Sequence, residues 1–364
     1  MESLRLGVLL NAEYAAGDLV RLGEFAETLG YTHFFYVDVR FLRECYIGLA
    51  SVAMRTQRLL LGTGVTDPYS RHPAITAASM ATLDELSAGR AILGFGLGGA
   101  GFRELGIQKT RPVAALRESI GMMRRLWRGE DVTLDGKVVS IANGRLEFDP
   151  VRAAIPVYIA TQGEQVSRLA GELADGVLIA NTATGQGLDF YLRRIAEGAA
   201  KGGRSLRDID INLRWEICIS PDEAAAVRVM RRRLAARLIN GYPNWGFLKQ
   251  LGVSVTPEFE ALAARRDPAL LDQAVEALPM EVVDANMLAG NAERVASRIA
   301  PLLRPEVTGV TIRPHPCPGT GVEAVMRSFV EDVMPLVTQR RHGSGTPADR
   351  VPAPARGGAG VSRG

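Results

Sequence analysis

Histidine, cysteine and net charge are all scarce in this chain of 364 residues. Its four histidines are His33, His72, His315 and His342. No H-x-x-x-H spacing or carboxylate cluster accompanies them, so no metal centre is expected. The cysteines, Cys45, Cys218 and Cys317, are odd in number and form no C-x-x-C pair. That argues against a zinc site or a disulfide framework and makes a reducing cytoplasm the expected compartment. A balance of 43 basic against 40 acidic residues leaves a charge of +3. So small a surplus points to neither nucleic acid nor an anionic membrane as partner. No apolar run reaches the ~18 residues of a membrane helix. The start, Met1 to Asn11, lacks the h-region and cleavage site of a signal peptide. A nucleophile elbow is also missing, so a Ser-His-Asp hydrolase is not expected.

What is present is an ordinary globular composition, 47% hydrophobic and 23% charged, with a high glycine count of 39. Short apolar runs near residues 5, 33, 59, 91, 156, 177, 210 and 309 alternate with helical patterns. Leu19, Leu22, Phe25, Ala26 and Leu29 recur on one helical face, and Pro73 opens a helix to Leu86 in the favoured first position. Ser220-Pro221-Asp222-Glu223 reads as a capping box, and Asp135-Gly136 as a hairpin turn between 132–134 and 137–139. The last helix is expected from Val322 to Met334, stopped by Pro335. Continuous apolar strands imply burial on both faces, and intervening helices imply parallel pairing. Eight such units predict an α/β fold of the (β/α)8 barrel type over residues 1–340, with an insertion between strands 7 and 8 at about Gly241 to Gly290. Residues 341–364, rich in Gly, Pro, Ala, Ser and Arg, are expected to be a disordered tail.

In such a barrel the active site lies at the C-terminal ends of the strands. The residues expected there are Asn11 and Glu13; Asp38; Gly64, Val65 and Thr66; Gly94, Gly96, Gly98 and Gly99; Gln162 and Gly163; Asn181 and Thr182; Trp215 and Glu216; Arg313 and His315. This set is rich in glycine and amides and poor in nucleophile–base pairs, which suits a bound cofactor that carries the chemistry itself. The run Gly94-Phe95-Gly96-Leu97-Gly98-Gly99 does not open a helix directly, so it is not a dinucleotide fingerprint. Its glycines instead let a flat ring approach the strand end. In Ala160-Thr161-Gln162-Gly163-Glu164 a strand turns straight into a helix. Free N–H groups at that helix start suit a phosphate, although the local sequence fits an ordinary turn equally well.

The stretch from Gly62 to Gly99 carries Arg71-His72-Pro73, Ala81-Thr82-Leu83-Asp84, Ser87-Ala88-Gly89-Arg90 and the glycine run in one order. It resembles the signature of the bacterial luciferase-like flavin and deazaflavin oxidoreductases. Pro156 to Leu178 is a second match, and the resemblance covers about residues 3 to 338. It implies a (β/α)8 barrel with a flavin or deazaflavin ring across the strand ends. It implies a non-prolyl cis peptide at Gly64-Val65 supporting the ring, with Thr66, Gly96 and Gly98 beside it. Asp38 would lie near the ring, and Gln162 and Gly163 would hold the cofactor's phosphate side. Arg71 and His72 are expected to fix a loop, and Asp84 and Arg90 to be scaffold pairing.

In the family's methanopterin reductases, which the chain resembles, a glutamate on the first strand looks like the proton donor. Leu9 stands at that position, and leucine transfers no proton. Glu13, four residues on, is the candidate to compensate, so Asp38 and Glu13 are the expected catalytic residues. The resemblance implies hydride transfer between coenzyme F420 and a small organic substrate, by a cytoplasmic enzyme that forms a homodimer. An FMN-dependent monooxygenase and a non-catalytic flavin-binding barrel are the alternatives.

Overall fold

A computed structural model describes residues 4–343. Along the chain come β1 (Arg5–Leu10), β2 (His33–Tyr36), β3 (Leu60–Thr63) and β4 (Ala91–Phe95). The hairpin strands β5 (Val132–Asp135) and β6 (Ser140–Gly144) follow. Then come β7 (Val157–Thr161), β8 (Gly176–Ala180), β9 (Asp210–Ile219), β10 (Leu288–Gly290) and β11 (Gly309–Pro314). All but β5, β6 and β10 pair in parallel in the order β1-β2-β3-β4-β7-β8-β9-β11, and β11 pairs back to β1. The result is the expected closed (β/α)8 barrel, with the eight strands where the apolar runs placed them.

The barrel lumen is filled by alternate residues of each strand, as the two-residue period of a β-strand requires. Leu9, Phe35, Ile92, Tyr158 and Leu178 form its apolar core. Glycine makes room for the two largest of these rings. A Cβ at Gly62 would sit 2.7 Å from the Phe35 ring, and one at Gly176 would sit 2.6 Å from that of Tyr158. The opposite faces of the strands pack under the helices in one large outer core.

The N-terminal end of the lumen is polar. The Tyr158 hydroxyl donates to Asp210, which also accepts from Thr308 and pairs with Arg5. Buried His33 stands beside this network, and burial pulls its imidazole down to about 4.

The interval between β9 and β11 is helical and carries its own apolar core, built on Met230, Leu234, Leu238, Phe259 and Val282. Within it β10 pairs with Ile217–Ile219 of β9, beyond the point where β8 ends opposite Arg214. Cys218 and Cys317 meet there as free thiols, with Sγ atoms 3.6 Å apart.

Several local expectations are corrected. The hairpin does not turn at Asp135-Gly136 alone, because Asp135 pairs with Ser140 and the turn takes in 136–139. The Glu118 carboxylate accepts the N–H groups of Lys137, Val138 and Val139, which draws that stretch out of the ladder. The helix after β9 is capped by Asp222, which accepts from Ala225 N–H, and not by a box at Ser220. Pro335 does not stop the last helix. A turn of π-helix at Phe329–Val333 widens the coil ahead of the proline, and the helix runs on from Met334 to Gly343. Residues 341–343 of the expected tail thus belong to a helix, and the rest of that segment lies outside the described residues.

Asp84 and Arg90 are both scaffold, but not as a pair. Buried Asp84 takes a bidentate contact from Arg152, while Arg90 donates to the carbonyls of Ala53, Thr56, Leu59 and Ser87. Arg152→Ala strands the Asp84 carboxylate and should lower unfolding free energy by about 3 kcal/mol in a urea titration. A change below a few tenths would show that the pair is dispensable.

His33 sets a pH dependence. Its folded pKa of about 4 lies below the ordinary 6.5, so the unfolded chain binds the extra proton between those values. The stability tied to neutral His33 is present above pH 6.5 and declines as pH falls toward 4. In urea titrations over that window His33→Gln should show a shallower pH slope than the parent chain. Equal slopes would remove His33 as the cause.

Candidate active site

A cavity of about 1140 Å³ opens at the C-terminal ends of the barrel strands. Leu9, Val37, Val65, Ala160 and Leu178 make an apolar wall and floor. Asp38 faces it from the end of β2, Gly98 and Gly99 from the loop after β4, and Gln162 and Gly163 from the turn after β7. The Gly64–Val65 peptide is cis, as the family likeness implied. Leu9 lies against it, since a Cβ at Gly64 would be 3.0 Å from Leu9 Cδ1.

Not every expected site residue reaches the cavity. Thr66 is buried behind the wall, and its main chain knits β3 to β4 through Thr66 N–H to Gly94 O and Gly96 N–H to Thr66 O. Gly96 also sits behind the wall, where a Cβ would meet Val65 at 2.9 Å. These two support the surface that Val65 presents. Asn181, Thr182 and Trp215 are buried outside the lining, with the Trp215 indole donating to Thr182 O. Glu13 is exposed and absent from the cavity wall, its carbonyl held by Arg43. It lies in the turn after β1, near Arg313 but not among the residues that line the cavity.

Asp38 is the acid on the β2 side of the mouth. Burial pushes its carboxyl above the usual range, against the opposing pull of Thr66, Arg40 and Arg71. A proton therefore stays on it to higher pH than on a surface aspartate.

The glycine-rich loop is held by a device that sequence reading missed. Asp67, fully buried, accepts the N–H groups of Tyr69 and Ser70 and the Ser70 hydroxyl. Its other strong partner is Arg40 Nη1, at 2.6 Å. Arg40 also donates twice to Ala100 O and lies 4.1 Å over the Phe102 ring. One guanidinium thus ties the ends of β2 and β3 to the loop after β4. The detectable signal was Asp67-Pro68-Tyr69-Ser70, an aspartate placed to bind the backbone two residues on. Arg71 pairs with Glu44, and His72 caps its helix at Ala74 N–H and donates to Ser140 O, so both fix the loop as expected.

The far side of the mouth is cationic. Inward positions of β9 carry Arg214 and Glu216, and the end of β11 carries Arg313 and His315. Arg233 and Arg237 reach in from one face of the helix Glu223–Gly241. Glu216 is buried; it bonds Arg233 and lies 3.1 Å from His315 Nε2. Its surroundings hold it well below the usual carboxylate range despite burial, and burial lowers His315. The dyad is thus a carboxylate and a neutral imidazole at neutral pH. Among the described residues no group of three or more metal-binding side chains gathers.

Comparisons with known proteins agree with this architecture. Residues 4–308 match the luciferase-like monooxygenase family. The 5,10-methylenetetrahydromethanopterin reductase of Methanolobus tindarius is 33% identical over 297 residues, which is 80% of this chain and 88% of that protein. The F420-dependent glucose-6-phosphate dehydrogenase of Beutenbergia cavernae is 29% identical over 362 residues, covering 93% of this chain and 98% of its own. The structure of a coenzyme F420 dependent tetrahydromethanopterin reductase from Methanopyrus kandleri superposes with a TM-score of 0.81 at 27% identity, over 92% of this chain and 99% of that one.

Arg40→Ala should free the glycine loop and leave buried Asp67 unpaired. Amide exchange of residues 97–102 should accelerate, with a stability loss of about 3 kcal/mol. Unchanged exchange there would mean that the loop is held by other contacts.

Proposed function

This chain belongs to the luciferase-like monooxygenase family, and as an oxidoreductase of that family we propose that it transfers a hydride between coenzyme F420 and a small organic substrate at the barrel mouth. The observation that carries the cofactor site is the start of the helix Glu164–Leu173. Glycine stands at its N-cap, so no side chain caps the first turn, and those N–H groups are available to an anion beside the cavity. Gly163 is in extended backbone, φ −141° and ψ 154°, and a Cβ there would meet nothing within 4 Å. The glycine is not needed for the turn and leaves the space a phosphate would take.

The residues present fit a deazaflavin. Leu9, Val65, Ala160 and Leu178 offer an apolar surface to a flat ring, with Asp38 at its edge and Gly98 across from it. Coenzyme F420, when bound, accepts or returns a hydride. Proton traffic then falls to this chain's own groups. Asp38, which burial makes easier to protonate, stands in the cofactor half, and His315, with Nε2 turned to Glu216, can take or give a proton at Nδ1 on the other side. The names of the reductase and dehydrogenase relatives favour F420 over FMN.

The homodimer is part of the same proposal. Phe41, Ile47 and Met54 stand out in and around the helix Cys45–Ala53, beside Ile75 and Leu86 of the helix Pro73–Leu86. Phe41 is 71% exposed and Ile47 68%, a cost in water that a second copy of the chain removes. The cytoplasm remains the proposed compartment, in keeping with three free thiols.

Titrating the purified chain with coenzyme F420 and with FMN, followed by absorbance and fluorescence, tests the cofactor. Saturable F420 binding is expected, and preference for FMN would shift the reading to flavin-dependent oxygenation. Gly163→Val should weaken F420 binding at least tenfold, about 1.4 kcal/mol. Its melt should not change, because the substituted side chain meets open space. Undiminished affinity would put the phosphate elsewhere, most simply at the loop of Gly98 and Gly99.

A further inference from the structure

Four guanidiniums surround the single carboxylate of Glu216, and they do not share it equally. Arg233 bonds it directly, whereas Arg313, Arg214 and Arg237 approach only to 3.6, 3.8 and 3.8 Å. Arg214 Nη1, Arg237 Nη1 and Arg313 Nε are buried and donate to nothing in the chain. Arg313 has one further partner, the side-chain oxygen of Asn11. Exposed Glu13 faces Arg313 from the turn after β1, and the neutral imidazole of His315 cancels no charge. Four cations against Glu216 and Glu13 leave two positive charges in excess around this wall.

A buried guanidinium donor without an acceptor, and charge without a counter-charge, are both unfavourable in a weakly polar interior. The stress is visible on Arg214, which burial and its cationic neighbours pull down to about 9. An oxyanion between these arginines would relieve both defects, because carboxylate and phosphate oxygens accept several charge-assisted bonds from planar guanidinium forks. Position bears on which anion that is. In the order β7-β8-β9-β11, Arg214 stands two strands and Arg313 three strands from β7, whose end leads into the helix start at Glu164, so the arginines make a cluster of the mouth distinct from that turn.

We propose that Arg214, Arg237 and Arg313 form a substrate-anion subsite, and that the substrate is a small acidic molecule carrying a carboxylate or phosphate group. This rests on the oxidoreductase reading for the word substrate, but the subsite itself is a property of the chain without cofactor. Glu216 has a defined part in it. By bonding Arg233 and His315 it has its own charge taken up by them and leaves the other three guanidiniums free to turn to the ligand.

The test is calorimetric titration of the full, cofactor-free chain with inorganic phosphate, with succinate and with glycerol, at constant ionic strength. Saturable binding of phosphate or succinate is expected, the tighter of the two naming the anion, with none for glycerol. Arg237→Gln and Arg313→Gln should each weaken it at least tenfold. Arg232→Gln, whose arginine pairs with Asp272 at the rim, should not. Melting curves of both variants guard against misfolding, and if one fails to fold the other decides. Absence of anion binding, or equal binding by the folded variants, overturns the proposal. So does loss of anion binding when the chain is first saturated with F420, since the arginines would then serve the cofactor's own acidic groups. Failure of F420 and FMN to bind while phosphate still does would sink the cofactor reading and leave the subsite standing.

Discussion

Alternate residues of eight barrel strands have to point into a lumen with room for side chains only, and that restriction decides where chemistry can sit. Phe35, Ile92, Tyr158 and Leu178 fill the middle. Charged side chains on the inward face stand at the two ends, and between them Asn212 and Thr311 are polar but uncharged. At the N-terminal end the space goes to His33, Asp210 and Arg5, where Asp210 pairs with Arg5 and accepts from Tyr158 while His33 lies beside them. At the C-terminal end the inward positions are Leu9, Gly64, Ala160, Arg214, Glu216 and Arg313, and the cavity is simply their common space.

The mouth is divided by that same geometry. Strands β2, β3, β4 and β7 contribute apolar residues, glycines, one aspartate and a helix start, a surface fit for a flat ring and its anionic tail. Strands β9 and β11 contribute charge. The division matters for the proposed reaction, in which a hydride would pass between two bound partners held face to face. A ring fixed on one wall and an anion fixed on the other would leave the reacting carbon between them. His315 stands on the cationic wall with its Nε2 committed to Glu216, which leaves Nδ1 as its remaining nitrogen.

Much of this could be read from residues close in sequence. The eight strands were legible because each is a continuous apolar run, and Asp38, Gly64, Val65, Gly98, Gln162 and Gly163 all reach the cavity because they end such runs. Thr66 and Gly96 belong to the same ends, but both are buried behind the surface that Val65 presents. What escaped were contacts between distant segments. Arg40 meets Asp67 and Ala100, Glu118 meets the 137–139 turn, and Arg214 meets Arg237 and Arg313 only after the barrel closes. The alternation of Arg214 and Glu216 inside an otherwise apolar strand was the one local hint of the cationic wall. Glu13 shows the converse: a residue of suitable chemistry near a strand end whose side chain is exposed and not among those lining the cavity.

The helical interval after β9 touches the site through Arg233, Arg237 and Leu271, yet its apolar residues pack in a cluster separate from the barrel's. That separation has an evolutionary meaning. Residues of the interval that face the cavity can be exchanged while the cluster holding Phe259 and Leu234 keeps its own shape, and the barrel strands need not repack. The lineage can therefore explore new substrates on one wall under selection for recognition alone, while selection for stability acts elsewhere in the chain.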